Sequence, residues 1–168
     1  EDSKGILYLA FSKMKGWGCE KNYSEAIDCF KRLKIDKDFA STSFINRGQI
    51  YKYGGYGIKK DLGLAVEMYT EAATLDSTDA LVLLADMYYK GYGVEQSFST
   101  AFTLFFRVFE KDKTNHEAKF RVGKMMVKGL GGSGEKGGWV DGMDLIRIAE
   151  EEGNEEAGIY LKKVRELD

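Results

Sequence analysis

Apolar residues recur along this chain at spacings of three and four, with small residues set among them. Ala80, Leu84, Ala85 and Tyr88 fall on one helical stripe, and Ala65, Met68, Tyr69, Ala72 and Ala73 form another. Positions three and four apart share one face of an α-helix, so this pattern predicts amphipathic helices. The alanines allow close helix approach, while Tyr, Phe and Met fill the gaps between neighbouring helices.

A recurring glycine pair punctuates the helices. Residues 80–112 read as a helix, the pair Gly91 and Gly93, and a second helix; residues 54–76 and 16–34 show the same order. Ala26, Ala65 and Ala101 each lie eight residues after the second glycine, and are 39 and 36 residues apart. That period is one helical hairpin, and such self-similarity marks a repeat architecture. A left-handed glycine ends the first helix without a Cβ clash, and a second glycine lets the chain reverse. Asn22, Asp61 and Ser97 sit at equivalent positions and are expected to cap the second helices. Tyr23, Leu62, Phe98 and Trp139 follow directly as apolar anchors.

The stretch 128-KGLGGSGEKGG-138 contains a literal G-x-G-x-x-G in Gly129, Gly131 and Gly134, with Lys136 beyond. A phosphate loop needs its glycines between a strand and a helix N-terminus. Here a helix precedes them, and no Lys-Ser/Thr pair follows at the required spacing. Ala118, Gly123, Met125 and Gly129 instead match Ala80, Ala85, Met87 and Gly91. Gly129 and Gly131 are therefore a fourth hairpin turn, and Gly132 to Gly137 are an insertion that could serve as a contact loop.

These residues resemble the Sel-1-like repeat family, a relative of the tetratricopeptide repeats. The family pattern A-x-x-x-L-G-x-M-Y-x-x-G-x-G-V is matched by Ala80, Leu84, Met87, Tyr88, Gly91, Gly93 and Val94, with Ala85 in place of the first glycine. Its second half is best represented by Asp61, Ala65, Tyr69, Ala72 and Ala73. The resemblance implies an all-α fold, a right-handed superhelical solenoid of about four helix-turn-helix repeats over the single domain 1–168. The repeats run approximately over 5–42, 43–79, 80–117 and 118–156, with a capping helix at 157–167. Departures are visible. Ser12 and Lys13 replace the Met-Tyr pair of the first repeat, Arg47 replaces a leucine, and Gly54 adds a residue before the second turn. A longer connection, 112–117, precedes the fourth copy.

Composition excludes more than it adds. The 168 residues carry 43% hydrophobic and 31% charged residues, ordinary for a soluble globular chain, and no proline, which suits uninterrupted helices. A net charge of −2 gives no electrostatic argument for nucleic acid as a partner. No apolar run approaches the roughly 18 residues that span a bilayer, so membrane insertion is not expected. No signal peptide is read in the chain; a processed or truncated chain would look the same, so the compartment stays open, with a soluble, cytoplasmic setting slightly favoured. Cys19 and Cys29 fit reduced thiols and lack a C-x-x-C spacing. His116, the one histidine, reads as a solvated residue of an inter-repeat loop, and Glu150, Glu151, Glu152, Glu155 and Glu156 read as a solvated helix end. No catalytic constellation, metal site or cofactor is expected.

What remains is a binding surface. The resemblance implies that first helices line a concave face whose non-core positions meet a partner. Those positions are Phe44, Gln49, Lys52 and Tyr53 in the second repeat. In the third they are Leu81, Asp86, Tyr89 and Lys90, and in the fourth Lys119, Lys124, Val127 and Lys128. Phe44, Leu81 and Tyr89 are apolar where polar residues would cost less, which is expected either from an exposed patch or from packing against the adjacent repeat. Lys90, Lys119, Arg121, Lys124 and Lys128 give it a basic rim. An aromatic anchor with a charged rim is the composition of a protein-binding site, here for an acidic peptide or protein. The expected function is a non-catalytic adaptor or scaffold, monomeric unless in complex. Alternatives are a stoichiometric inhibitor or immunity protein, and a regulatory repeat domain of a larger protein.

Overall fold

The computed structural model describes residues 2–130 and 138–166, Trp139 by its backbone alone. The chain order among these residues is α1 (Ser3–Lys15), α2 (Tyr23–Arg32), a 3-10 turn at Leu33–Ile35, α3 (Ala40–Tyr53), α4 (Leu62–Thr74), α5 (Thr78–Lys90), α6 (Phe98–Lys111), α7 (His116–Val127), α8 (Gly138–Glu151) and α9 (Glu155–Arg165). The fold is all-α. The anchor assigned to Trp139, the second glycine of the fourth turn and the Gly132–Gly137 insertion lie outside the described residues.

Local chemistry explains where the helices start. The side chains of Asn22, Asp61 and Ser97 accept from the N–H groups of Glu25 (3.0 Å), Leu64 (2.9 Å) and Thr100 (3.2 Å), satisfying orphan donors of α2, α4 and α6. Three further starts share one quartet, a short polar cap, any residue, an acid and an alanine: Ser77 to Ala80, Asn115 to Ala118 and Asn154 to Ala157. Each cap accepts from the alanine N–H, at 3.4, 2.9 and 2.8 Å, and each of these alanines is fully buried. The acid in the first turn also favours the positive end of the helix dipole. Thus α9 begins in the same way as α5 and α7.

The turns are equally local. Gly16 and Gly91 close α1 and α5 in the left-handed conformation, donating to Ser12 O and Met87 O. The chain then returns so that each cap residue donates its backbone N–H to the last turns of the preceding helix. Asn22 reaches Lys13 O (2.9 Å), Asp61 reaches Tyr51 O (2.8 Å) and Ser97 reaches Tyr88 O (3.0 Å). The extra residue at Gly54 is absorbed by a small antiparallel bridge between Gly55 and Ile58.

The chain divides into two compact units, residues 1–87 with 91–95, and residues 88–90 with 96–168. In the first, Ile6, Ala10, Met14, Ala26, Ile27, Cys29, Phe30, Leu33 and Ile50 form a continuous core from α1, α2, the 3-10 turn and α3. Ser43 donates its hydroxyl to Phe30 O inside it. Cys19 and Cys29 are free thiols, and burial pushes the Cys29 thiol up from its ordinary pKa. In the second unit, Phe120, Met143, Ile146, Ala149, Ala157 and Leu161 join α7, α8 and α9. There α7 and α8 approach so closely that a Cβ on Gly123 would lie 2.6 Å from Gly142 O, and one on Gly142 would lie 2.7 Å from Gly123 O.

Candidate partner-binding surface

The expected surface residues separate into three groups. Leu81 and Lys119 do not belong to the surface. Leu81 is fully buried, because the buried stripe of α5 includes Ala80, Leu81, Leu84, Ala85 and Met87 and is wider than one narrow face. Lys119 is 7% exposed and ion-paired with Glu152. Phe44, Gln49, Lys52, Asp86, Tyr89 and Lys124 are half-buried. Tyr53, Lys90 and Lys128 are exposed, Tyr53 to 71%.

In the first unit, α3 carries its aromatics with cations on them. The Arg47 guanidinium lies 5.5 Å from the centroid of Phe44, and the Lys52 ammonium 5.4 Å from that of Tyr53. A separate recess of about 380 Å³ is lined by Lys13, Glu20, Lys21, Asn22, Glu25, Tyr56 and Gly57. Its charges are internally compensated: Lys13 pairs with Glu25 at 2.7 Å, which pushes the lysine pKa up, and Lys21 lies over Tyr56 at 5.3 Å.

In the second unit, Tyr89 packs edge-on against Phe98 with centroids 5.3 Å apart. The Lys124 ammonium lies 5.1 Å from the centroid of Phe120 and 5.9 Å from that of Tyr160 on α9. Burial first, then the like charges of Arg121 and Lys128, push Lys124 below the ordinary lysine range; Glu156 and Glu117 oppose the shift. Arg121, placed on the basic rim, pairs with Glu117 at 2.7 Å and reaches Glu156 at 3.9 Å.

One other expectation needs correction. His116 is exposed as expected but is the first residue of α7, not a loop residue, and its Nδ1 lies 3.3 Å from Asn154 Nδ2. The glutamate run is solvent-exposed apart from half-buried Glu150, and it also makes contacts: Glu152 pairs with Lys119, Glu156 approaches Arg121, and Glu150 lies 4.0 Å from Arg165. Sequence reasoning missed the bracketing of Lys124 by Phe120 and Tyr160, because α7 and α9 are joined only through the whole of α8. Among the described residues no group of three or more His, Cys, Asp or Glu is placed to hold a metal ion, and no helix is long and apolar enough to cross a membrane.

The fold has known relatives. A protective antigen present in uropathogenic Escherichia coli strains, displaying an SLR fold, superposes with a TM-score of 0.80 at 26% identity, covering 95% of this chain and 32% of that one. A Sel1 repeat protein from Oxalobacter formigenes superposes with a TM-score of 0.78 at 22% identity, covering 95% of this chain and 63% of its own. The chain therefore spans about a third of the first relative and less than two thirds of the second. No curated protein sequence matches it. The Sel1 repeat profile matches residues 3–33, 45–77 and 78–107, more than half of the chain. With helix caps and glycine turns repeating at the hairpin period, the chain belongs to the Sel1 repeat family.

Proposed function

We propose that this chain is a non-catalytic adaptor or scaffold that binds a partner protein or peptide through its first helices. Sel1 repeats generally act as protein–protein interaction modules, and the helical repeat fold is typically an interaction scaffold. One observation supports the reading most: cations of α3 and α7 that are at least partly open to solvent lie over aromatic rings. The pairs are Phe44 with Arg47, Tyr53 with Lys52, and Phe120 and Tyr160 with Lys124. Rigid rings supply contact area at small entropic cost, and the adjoining charges select an acidic partner. In this reading α7 and α8 form a fourth, diverged repeat outside the profile match, supported by the shared cap quartet of α5 and α7.

Affinity capture from native lysate tests it, comparing wild type with Tyr53→Ala combined with Lys124→Glu. The wild type retains a stoichiometric protein partner and the double variant loses it while melting within a few degrees of wild type. Equal capture by both contradicts the assigned surface. A second reading, a regulatory repeat segment of a longer protein, is favoured by the coverage of its relatives, 32% and 63%. The size of the native protein on an immunoblot decides that reading.

A further inference from the structure

A shallow groove of about 150 Å³ runs between α7 and α9, lined by Phe120, Lys124, Glu156, Ile159, Tyr160 and Lys163. Its floor is Phe120, which is 1% exposed and meets Tyr160 edge-on at 6.2 Å between centroids. Ile159 stands open at 59% exposure, an apolar ledge beside the floor. Two cations line the groove with these apolar atoms, Lys124 from α7 and Lys163 from α9.

Neither cation has an ion-pair partner among the described residues, although carboxylates are near. Glu117 is engaged by Arg121 Nε at 2.7 Å, and Glu156, which lines the groove itself, approaches Arg121 Nη2 at 3.9 Å. Arg121 thus takes the direct contacts of both acids, and Lys124 feels them only at longer range while its ammonium lies over the rings of Phe120 and Tyr160. A lysine in that position is held partly out of water with no carboxylate bonded to it, and the distant pull of Glu156 and Glu117 does not outweigh burial and the like charges of Arg121 and Lys128.

We propose that this groove takes an acidic peptide segment of the partner, one carboxylate bridging Lys124 and Lys163 and an adjacent apolar side chain resting on Ile159 and Tyr160. The proposal rests on the protein-binding reading and names the partner's chemistry at one place on it. Charge complementarity favours a carboxylate. The apolar ledge in the same groove as the two cations favours a peptide over a polyphosphate backbone, whose charges would also meet Glu156. Direct bonding of a carboxylate to Lys124 would reverse the penalty its burial imposes, so the site is more stable filled than empty.

A displayed library of random dodecapeptides, panned on the full chain, tests this. The enriched peptides contain Asp or Glu next to a Leu, Ile, Phe or Met. Synthetic copies bind wild type, and bind Lys124→Gln with Lys163→Gln about tenfold more weakly or worse. Copies with Asn or Gln in place of the acid lose affinity equally on wild type and show no further loss on the double variant. Enriched peptides that lack acids, or that bind the double variant as well as wild type, overturn the groove assignment while leaving the protein-binding reading intact. Failure to enrich any peptide contradicts both. Displacement of the peptides by polyuridylate as readily as by a free acidic peptide overturns the peptide specificity.

Discussion

Lys119 of α7 and Glu152, just beyond α8, form an ion pair in which the lysine side chain is 9% exposed and the glutamate 37%. The pair ties the start of one helix to the end of its neighbour, so its role is structural. Removing the lysine leaves Glu152 without its partner, and full burial would make that cost several kcal/mol. The partial exposure of Glu152 lets water replace part of the loss. Lys119→Gln is therefore expected to destabilise the fold by roughly 1–3 kcal/mol in urea denaturation. A loss within error of zero would show the pair to be screened.

Asn154 does two jobs with one amide. Its oxygen caps Ala157 N at 2.8 Å, while its nitrogen donates to Glu117 Oε2 at 3.1 Å and lies 3.4 Å from His116 O. The side chain is also buried. Asn154→Ala loses the cap and the amide bond from the start of α9 to Glu117 of α7, an expected cost of roughly 1–3 kcal/mol. Asn154→Asp keeps the cap but places a carboxylate against Glu117, and is expected to be more destabilised at neutral pH than at acidic pH. Hydrogen exchange of α9 amides checks both.

Two glycine substitutions should act with opposite sign. Gly123→Ala pushes a methyl into Gly142 O, where backbone must yield, and is expected to cost roughly 1–3 kcal/mol. Gly158→Ala in α9 meets only the flexible Glu150 side chain at 3.4 Å. It is expected to gain roughly 0.5–1 kcal/mol through helix propensity. Thermal unfolding of the two variants side by side is sufficient, and a shared sign contradicts the packing described.

The pKa of Lys124 is held below 10.5 in the folded state by burial and by Arg121 and Lys128. The unfolded chain then binds more protons between the lowered value and 10.5, so stability rises with pH across that window. Below the folded pKa the lysine is charged in both states and the full penalty applies. Lys124→Met should therefore be more stable than wild type at neutral pH, with the difference vanishing above 10.5. NMR titration of the Lys124 Nζ signal gives the shift directly. A midpoint at or above 10.5 would contradict it.

Much of the architecture was legible because caps and turns are local chemistry. Asn22, Asp61 and Ser97 cap the second helices as expected, since a short polar side chain needs only the N–H three residues on. The caps Ser77, Asn115 and Asn154 carry the same signal in a repeated quartet, and recognising it would have placed His116 on α7. Less legible was which apolar or charged residue leaves the surface. Leu81 is buried because two neighbouring stripes of α5 are covered at once, which helical periodicity alone does not distinguish. The fate of Lys119 depends on a glutamate 33 residues away, and that of Lys124 on Tyr160, both set by packing across helices.

Site-specific photo-crosslinking tests the central claim most directly, that a protein partner meets the first helix α3 and the groove between α7 and α9. A photoreactive phenylalanine is placed at exposed Tyr53 on α3, or at exposed Ile159 beside the α7–α9 groove, with a control at Ile148 on α8, itself 42% exposed. The account predicts one common crosslinked partner from Tyr53 and Ile159 and none from Ile148. Crosslinking from Ile148 alone, or equally from all three positions, would contradict it.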